Sequence, residues 1–416
     1  MKAQRRKTRV VLGITGSIAA YKSVEITRYL MAKGCEVRAV MTDSAAKFVT
    51  PFVLESITGR PVTVSFWNET QAGAIGHIEL ADWADVVLVA PASADVIAKL
   101  RYGFAETPLL AVALATKAPI VIAPAMNVNM YENAVTQENL ESLRARGFHI
   151  VEPDAGALAC GWTGRGRLAD QREIFSQVRR ALSRQDLAGK SVIITAGPTR
   201  EAIDPVRYIS NRSSGKMGLA LAREAHRRGA RVVVVCGPVS GKPWLPRGIE
   251  RVDVTSASEM HKAVMSRFHS GEIDIAILAA AVADFRPAEP SQEKIKKASA
   301  PDTLALVPND DILRELGEGR GSHGRPMLVG FAVETGDVQS LAAEARRKMA
   351  RKNADMIVGN LAKDSFDKGT NQVYIVARDG SEELIPTMKK SGIARRILDR
   401  ISATQGAPCL HEPVQH

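Results

Sequence analysis

The chain has 416 residues, 45% of them hydrophobic and 24% charged, with a net charge of +11 and an isoelectric point near 9.5. That length exceeds what one hydrophobic core holds and predicts more than one globular domain. The basic balance suits anionic small molecules; nucleic acid is set aside because the charge is scattered and aromatic residues are only 5%, too few for base-stacking platforms. Cys35, Cys160, Cys236 and Cys409 form no CxxC pair and read as reduced thiols of a cytoplasmic protein. The basic residues 1–8 lack the apolar stretch of a signal peptide, and no run is long enough for a membrane span, so no membrane partner is expected.

In chain order, the first half offers strands at 10–14, 36–41, 86–90, 120–123 and 148–151, with helical patterns between them, such as Ala19–Ala32. The second offers strands at 191–195, 231–235, 275–280, 327–331 and 355–359, with a helix over Lys216–Arg228. Apolar runs bounded by glycine read as buried parallel strands, and their alternation with helices predicts α/β structure: two doubly wound, Rossmann-like parallel-sheet domains. The junction falls in the polar stretch 182–190, which gives domains at 1–186 and 187–402 and a tail at 403–416. Residues 237–248 and 286–302 are long loops of the kind that carry function. Gly189-Lys190-Ser191 ends like a P-loop, but it lacks the upstream glycine, since Arg184 stands there, and it leads into a strand.

The first strand runs into Gly16-Ser17-Ile18-Ala19-Ala20-Tyr21-Lys22. Gly16 permits close backbone approach to an anion, and Ser17 can cap the next helix, whose N–H groups would face a phosphate. Further along stand His77-Ile78-Glu79-Leu80, Pro91-Ala92-Ser93-Ala94-Asp95, Pro124-Ala125-Met126-Asn127-Val128-Asn129-Met130-Tyr131 and Gly156-Ala157-Leu158-Ala159-Cys160-Gly161. In this order the motifs resemble the flavin-dependent cysteine decarboxylases, above all the phosphopantothenoylcysteine decarboxylase half of the bifunctional coenzyme A enzymes, over roughly residues 8–180.

The resemblance implies FMN near Gly16, Ser17, Ser44 and Ser93. It implies that His77 acts in the oxidative step and that Asn127 grips the substrate carboxylate. A side-chain amide can bind a carboxylate without neutralising the group that must leave as carbon dioxide. Cys160 sits in a glycine-rich stretch read as a mobile flap, and the resemblance makes it the thiol that helps return electrons. The implied course is oxidation of the cysteinyl thiol by FMN, loss of carbon dioxide from the resulting thioaldehyde, and reduction of the product with help from Cys160. One position departs from the family: Asp95 stands where Asn is usual, and a carboxylate there would repel the substrate unless protonated or turned away.

The second half opens on Thr195-Ala196-Gly197-Pro198-Thr199-Arg200-Glu201 and continues through Asp204 to Gly218, a stretch dense in donors and small residues before a helix. With Ala279-Ala280-Ala281-Val282-Ala283-Asp284, Lys294-Ile295-Lys296-Lys297, Gly330-Phe331-Ala332-Val333-Glu334-Thr335, Lys348 and Lys352, it resembles the phosphopantothenate–cysteine ligase half of the same enzymes over roughly 187–402. The resemblance implies that 4′-phosphopantothenate attacks CTP and that the amine of L-cysteine opens the acyl-cytidylate. Asp284, Phe331, Lys348 and Lys352 would hold CTP, and backbone groups of Ala279, Ala280 and Ala281 would read the cytosine edge. Lys294 would neutralise charge during nucleotidyl transfer, and Asn211 would serve the attack of cysteine. Magnesium would accompany the triphosphate through ligands the sequence does not identify. The resemblance also implies a homo-oligomer with flavin sites at subunit contacts. A non-catalytic flavoprotein regulator is disfavoured by the presence of His77, Asn127, Cys160 and a ligase half. A nicotinamide-dependent oxidoreductase is disfavoured because Gly13-x-x-Gly16 is a weak pattern and Asp43 is the nearest acid for a ribose.

Overall fold

The computed structural model describes residues 6–67, 76–157, 161–241, 243–296, 302–320, 324–334, 337–361 and 369–404. The chain forms two compact units, Met1–Ser183 and Arg184–His416. The residues expected to form the tail lie outside the described residues from 405 onward.

The first unit is built on five strands, β1 (Thr8–Ile14), β2 (Cys35–Met41), β3 (Val86–Ala92), β4 (Ile120–Pro124) and β5 (His149–Ile150), all parallel in the order β2-β1-β3-β4-β5. Side chains alternate faces along a strand, and both faces here are apolar. Val10, Leu12 and Ile14 enter one core with Ile26, Leu30, Ile174 and Val178. Val11, Val87 and Val89 enter the other, with Ile97, Leu109, Leu140 and Leu143. The helices between are α1 (Ser23–Ala32), α2 (Asp43–Ala46), α3 (Pro51–Thr58), α4 (Gly76–Trp83), α5 (Ala94–Tyr102), α6 (Pro108–Ala115), α7 (Val128–Glu132), α8 (Ala134–Ala145) and α9 (Gln171–Ala181). The pattern expected as one helix from Ala19 divides into a 3-10 turn, Ile18–Lys22, and α1. Ser93 and Thr107 cap α5 and α6, each contributing about 1 kcal/mol. The stretch expected as a flap is described only on either side of 158–160. Those residues form an antiparallel ribbon, β6 (Asp154–Ala157) with β7 (Thr163–Arg167).

The second unit carries β8 (Ser191–Ala196), β9 (Arg200–Ala202), β10 (Tyr208–Ser210), β11 (Arg231–Cys236), β12 (Ile249–Asp253), β13 (Ile275–Leu278), β14 (Phe285–Pro287), β15 (Leu306–Pro308), β16 (Met327–Glu334), β17 (Met356–Leu361), β18 (Thr370–Ala377) and β19 (Glu382–Lys389). Its helices are α10 (Lys216–Arg227), α11 (Ala257–His269), α12 (Ile312–Gly319), α13 (Val338–Arg351) and α14 (Lys390–Thr404). The main sheet runs β12-β11-β8-β13-β16-β17-β18-β19. It is parallel through β17, but β18 and β19 run antiparallel, so the expected all-parallel sheet gains a hairpin extension. The hairpin turns at Asp379-Gly380, with Gly380 at φ 81, the left-handed conformation that favours glycine.

Candidate active sites

In the first unit the chain leaves β1 toward β2 and leaves β3 toward β4, so their C-terminal ends diverge into a crevice, where ligands of open α/β sheets bind. Thr15 bridges the two ends: its hydroxyl donates to Pro91 O (2.8 Å) and accepts from Ser93 N (2.8 Å). Ser17 caps the 3-10 turn by accepting from Ala19 N (3.3 Å) and donates to Ala125 O (3.1 Å), tying the first loop to the end of β4. The resulting pocket of about 390 Å³ is lined by Gly16, Ser17 and Ser93, by Asn127, and by apolar side chains including Ile18, Met126 and Met130. Its size and largely apolar lining suit a flat aromatic ligand with a few polar anchors. Gly16 is held close: a Cβ there would stand 2.5 Å from that of Ser44. Ser44 therefore backs the glycine from the first turn of α2 and does not line the pocket.

Asn127 caps α7, its Oδ1 accepting from Asn129 N at 2.8 Å. Tyr131 closes the same helix. It is 4% exposed, and its hydroxyl donates to Glu152 at 2.8 Å; burial and that bond push its pKa up to about 12, so it remains a donor at neutral pH. The charged residues of the lining are Lys22 and Arg167, which sequence reasoning did not single out. Burial, then the nearby Arg167, lowers the Lys22 pKa, against Asp154, Glu25 and Asp170. Two cations in an apolar pocket suit an anion. The one sequence signal for Arg167 was a basic residue within a glycine-rich stretch.

Other sequence candidates fall elsewhere. His77 lies on α4, half-buried, its ring edge-on to Phe66 at 5.4 Å, outside the pocket lining. Cys160 lies outside the described residues. Asp95 turns away: it is exposed and pairs with Lys99 at 3.1 Å, which also meets Glu106 at 2.6 Å. The anticipated repulsion is therefore answered by geometry, since Asp95 does not line the pocket.

The second unit repeats this logic where β8 and β13 diverge. A pocket of about 540 Å³ gathers Asn211, Ala280, Ala281, Asp284, Phe331, Lys348 and Lys352. It also takes in Arg212, Asn309, Asp310 and Asp311, which the sequence reading missed. Asp311 caps α12 and pairs with Lys352 at 2.6 Å, while Lys348 donates to Phe331 O at 2.6 Å. Lys348 and Lys352 are one turn apart on α13 and at its C-cap, so both meet the same wall. Burial lowers the Lys348 pKa, and the Lys352 charge lowers it further; Asp311 and Asp284 oppose both. The Asp-Asp pair before an apolar helix was the available signal for Asp311.

Two expectations change here. The N–H of Ala280 donates to Thr195 Oγ1 (3.1 Å) and that of Ala281 to Gly197 O (2.9 Å), while Ala281 O accepts from Thr199 N (3.4 Å). These groups are committed to the fold, and Ala279 does not line the pocket but packs against the core. Those two N–H groups and that carbonyl are therefore not open to a base edge, which leaves the expected backbone reading to other groups of the segment. Lys294 is exposed and also outside the lining. Its loop is pinned one residue on: the buried Asp204 carboxylate accepts from Ile295 N (3.2 Å), and Arg207 donates to Ile295 O (3.0 Å). Asn211 donates from Nδ2 to Val282 O at 2.8 Å.

Fold and pockets thus define a two-module α/β chain, with a crevice for a flat anionic ligand in one module and a lysine-lined polar pocket in the other. The Flavoprotein family model matches residues 1–183, and the model for the DNA/pantothenate metabolism flavoprotein C-terminal domain matches 187–404. The chain is 45% identical over 398 residues to the coenzyme A biosynthesis bifunctional protein CoaBC of Vibrio cholerae, covering 94% of this chain and 97% of that protein. It is 43% identical over 400 residues to the protein of that name from Escherichia coli, covering 94% and 96%. Among solved structures, a CoaBC C-terminal domain is 38% identical, with a TM-score of 0.45, over 53% of this chain and 98% of its own. The FMN binding protein AtHal3 is 35% identical, with a TM-score of 0.37, over 42% and 96%. The chain belongs to the family of coenzyme A biosynthesis bifunctional proteins. It is a bifunctional enzyme: a flavoprotein decarboxylase joined to a phosphopantothenate–cysteine ligase.

Proposed function

We propose that the second pocket binds CTP and that the carboxylate of 4′-phosphopantothenate attacks it there, releasing pyrophosphate and forming an acyl-cytidylate that the amine of L-cysteine then opens. What supports this most is the convergence of Lys348 and Lys352 on one pocket with Asn211, Asp284 and Phe331. The lysines stabilise phosphate charge as it develops. Asn211, held at Val282 O, has a second Nδ2 hydrogen for the oxyanion of the amide-forming step. Lys294, exposed and outside the lining, meets the phosphates only if its side chain swings in from the loop that Asp204 and Arg207 anchor at Ile295. The wall at Ala280 and Ala281 selects a pyrimidine by shape. Magnesium enters with the triphosphate, as this small, strongly hydrated ion usually does; among the described residues no group of three His, Cys, Asp or Glu could hold a metal ion. Pyrophosphate release with phosphopantothenate, magnesium and either CTP or ATP tests the nucleotide. CTP should be preferred by about 10-fold or more, the scale of a shape-based pocket, and equal rates would sink this selection.

In the first pocket FMN, when bound, supplies reversible two-electron chemistry. The glycine turn at Gly16 and the Ser17 and Ser93 caps fit its polar edge, and Ile18, Met126 and Met130 fit its rings. Asn127 donates from Nδ2 to the carboxylate of 4′-phosphopantothenoylcysteine, while Lys22 and Arg167 supply charge for a phosphate. His77 exchanges the proton of the oxidative step, and Cys160 donates one when the product is reduced.

His77 lies outside the lining, which favours assembly. Phe52 (73% exposed) and Trp67 (89%) are among the large apolar side chains that this unit leaves uncovered. The enzyme is proposed as a cytoplasmic homo-oligomer whose copies cover these residues. Sedimentation should give a multimer, and a fully active monomeric decarboxylase would contradict this.

A further inference from the structure

We propose that Gly164 is a positioning residue for decarboxylation: its missing side chain lets β7 lie directly on α7 and so fixes Asn127 in the pocket wall. This rests on the reading that Asn127 meets the substrate carboxylate. A Cβ at Gly164 would stand 2.5 Å from Val128 Cγ2 and 3.1 Å from Val128 Cβ. Non-bonded carbons rest about 3.5–4.0 Å apart, so ribbon or helix would have to retreat by roughly 1 Å. Val128 cannot readily swing aside. It is 7% exposed, and a β-branched residue in a helix is stiff at χ1. Two residues on, Gly166 repeats the approach: a Cβ there would stand 2.3 Å from Met126 O, and Met126 N donates to Gly166 O at 3.0 Å. Gly166 sits at the ribbon's register shift, yet its contact and that of Gly164 fall on the same short stretch of chain, Met126–Val128, so both belong to one seat. The seat touches Met126 and Val128, the chain neighbours of Asn127. Glycine weakens a strand unless another backbone must come close, and here one does. Gly166 also has φ 141, so a side chain there would mix backbone strain with contact. Gly164 has no such conformation, so alanine at this position tests contact alone.

The experiment compares Gly164→Ala in the full chain in two backgrounds, wild type and Val128→Ala, reading kcat and KM for decarboxylation of 4′-phosphopantothenoylcysteine. Misplacement by 1 Å can cost about 100-fold, so Gly164→Ala should raise KM about 10- to 100-fold in the wild-type background. In the Val128→Ala background the methyl has room, and the same substitution should change KM by less than about 2-fold. An equal loss in both backgrounds, or no loss in the wild type, overturns the proposal. Should Gly164→Ala shed its flavin, visible absorbance with added FMN becomes the readout: flavin retained by the double variant supports the seat, and flavin lost from it overturns it. Asn127→Ala is measured alongside. An unchanged KM in that variant refutes the assignment of Asn127, a failure distinct from an absent coupling between positions 128 and 164.

Discussion

Asn127→Asp lowers kcat/KM for decarboxylation by about 1000-fold at neutral pH and leaves ligation within about 2-fold of the parent, since two like charges near 4 Å repel by about 4 kcal/mol at an effective dielectric of 20. The substitution is nearly isosteric. Asp caps a helix as well as Asn, so the bond from Asn129 N should persist and the fold with it. What changes is the donor. With Oδ1 accepting in the cap, anything Asn127 donates leaves from Nδ2, and Asp replaces that group with an oxygen and a charge. The variant should recover activity as pH falls through the pKa of the introduced carboxyl, because the protonated acid is neutral and can donate. A flat pH response, or a loss under about 10-fold, would remove Asn127 from contact with the carboxylate.

Lys352→Ala should lower kcat/KM for ligation by about 100- to 1000-fold, the scale of losing one stabilising group at a site where charge develops. The Lys352 side chain is 12% exposed and pairs with Asp311 at 2.6 Å. Its removal would take a cation from the proposed triphosphate site and leave Asp311 with the Lys348 charge and the Arg314 N–H alone, so the pocket would attract an anion less. Asp311→Asn in that background should restore part of the loss. Lys348 adds a signature in pH. Its pKa is lowered by burial and then by Lys352, so removing Lys352 raises it. The alkaline fall in nucleotide binding, which follows Lys348 losing its proton, should therefore move to higher pH in Lys352→Ala. A shift to lower pH would contradict this arrangement.

The parallel core was legible because its strands are buried on both faces: Arg9 to Ile14 and Val86 to Ala92 are nearly unbroken apolar runs ending in small residues. The hairpin of β18 and β19 was missed although Asp379-Gly380 is a turn signal, because Thr370–Ala377 mixes polar and apolar residues without a clean period. β9, β10, β14 and β15 have three residues each, too few to show any period. Ser17, Ser93, Asn127 and Asp284 follow strand ends, where parallel sheets place ligands, while the roles expected of Asn127 and Asp284 came from the resemblance. Lys22 with Arg167, and Lys352 with Asp311, were not readable as pairs, since each joins elements far apart in the chain. The motif around His77 was visible, yet the fold sets this residue outside the pocket lining. Lys294 stands exposed for a different reason: the backbone bonds that fix its loop are made by Ile295.

The most direct measurement follows carbon dioxide from carboxyl-labelled cysteine incubated with the full chain, 4′-phosphopantothenate, CTP, magnesium and FMN. Label should be released only when phosphopantothenate and CTP are both present. It should disappear in Lys352→Ala for want of substrate, and return there when 4′-phosphopantothenoylcysteine labelled at the same carboxyl is supplied. Release from cysteine without the nucleotide, or pyrophosphate produced with no labelled carbon dioxide after it, would contradict two pockets working in sequence on one molecule.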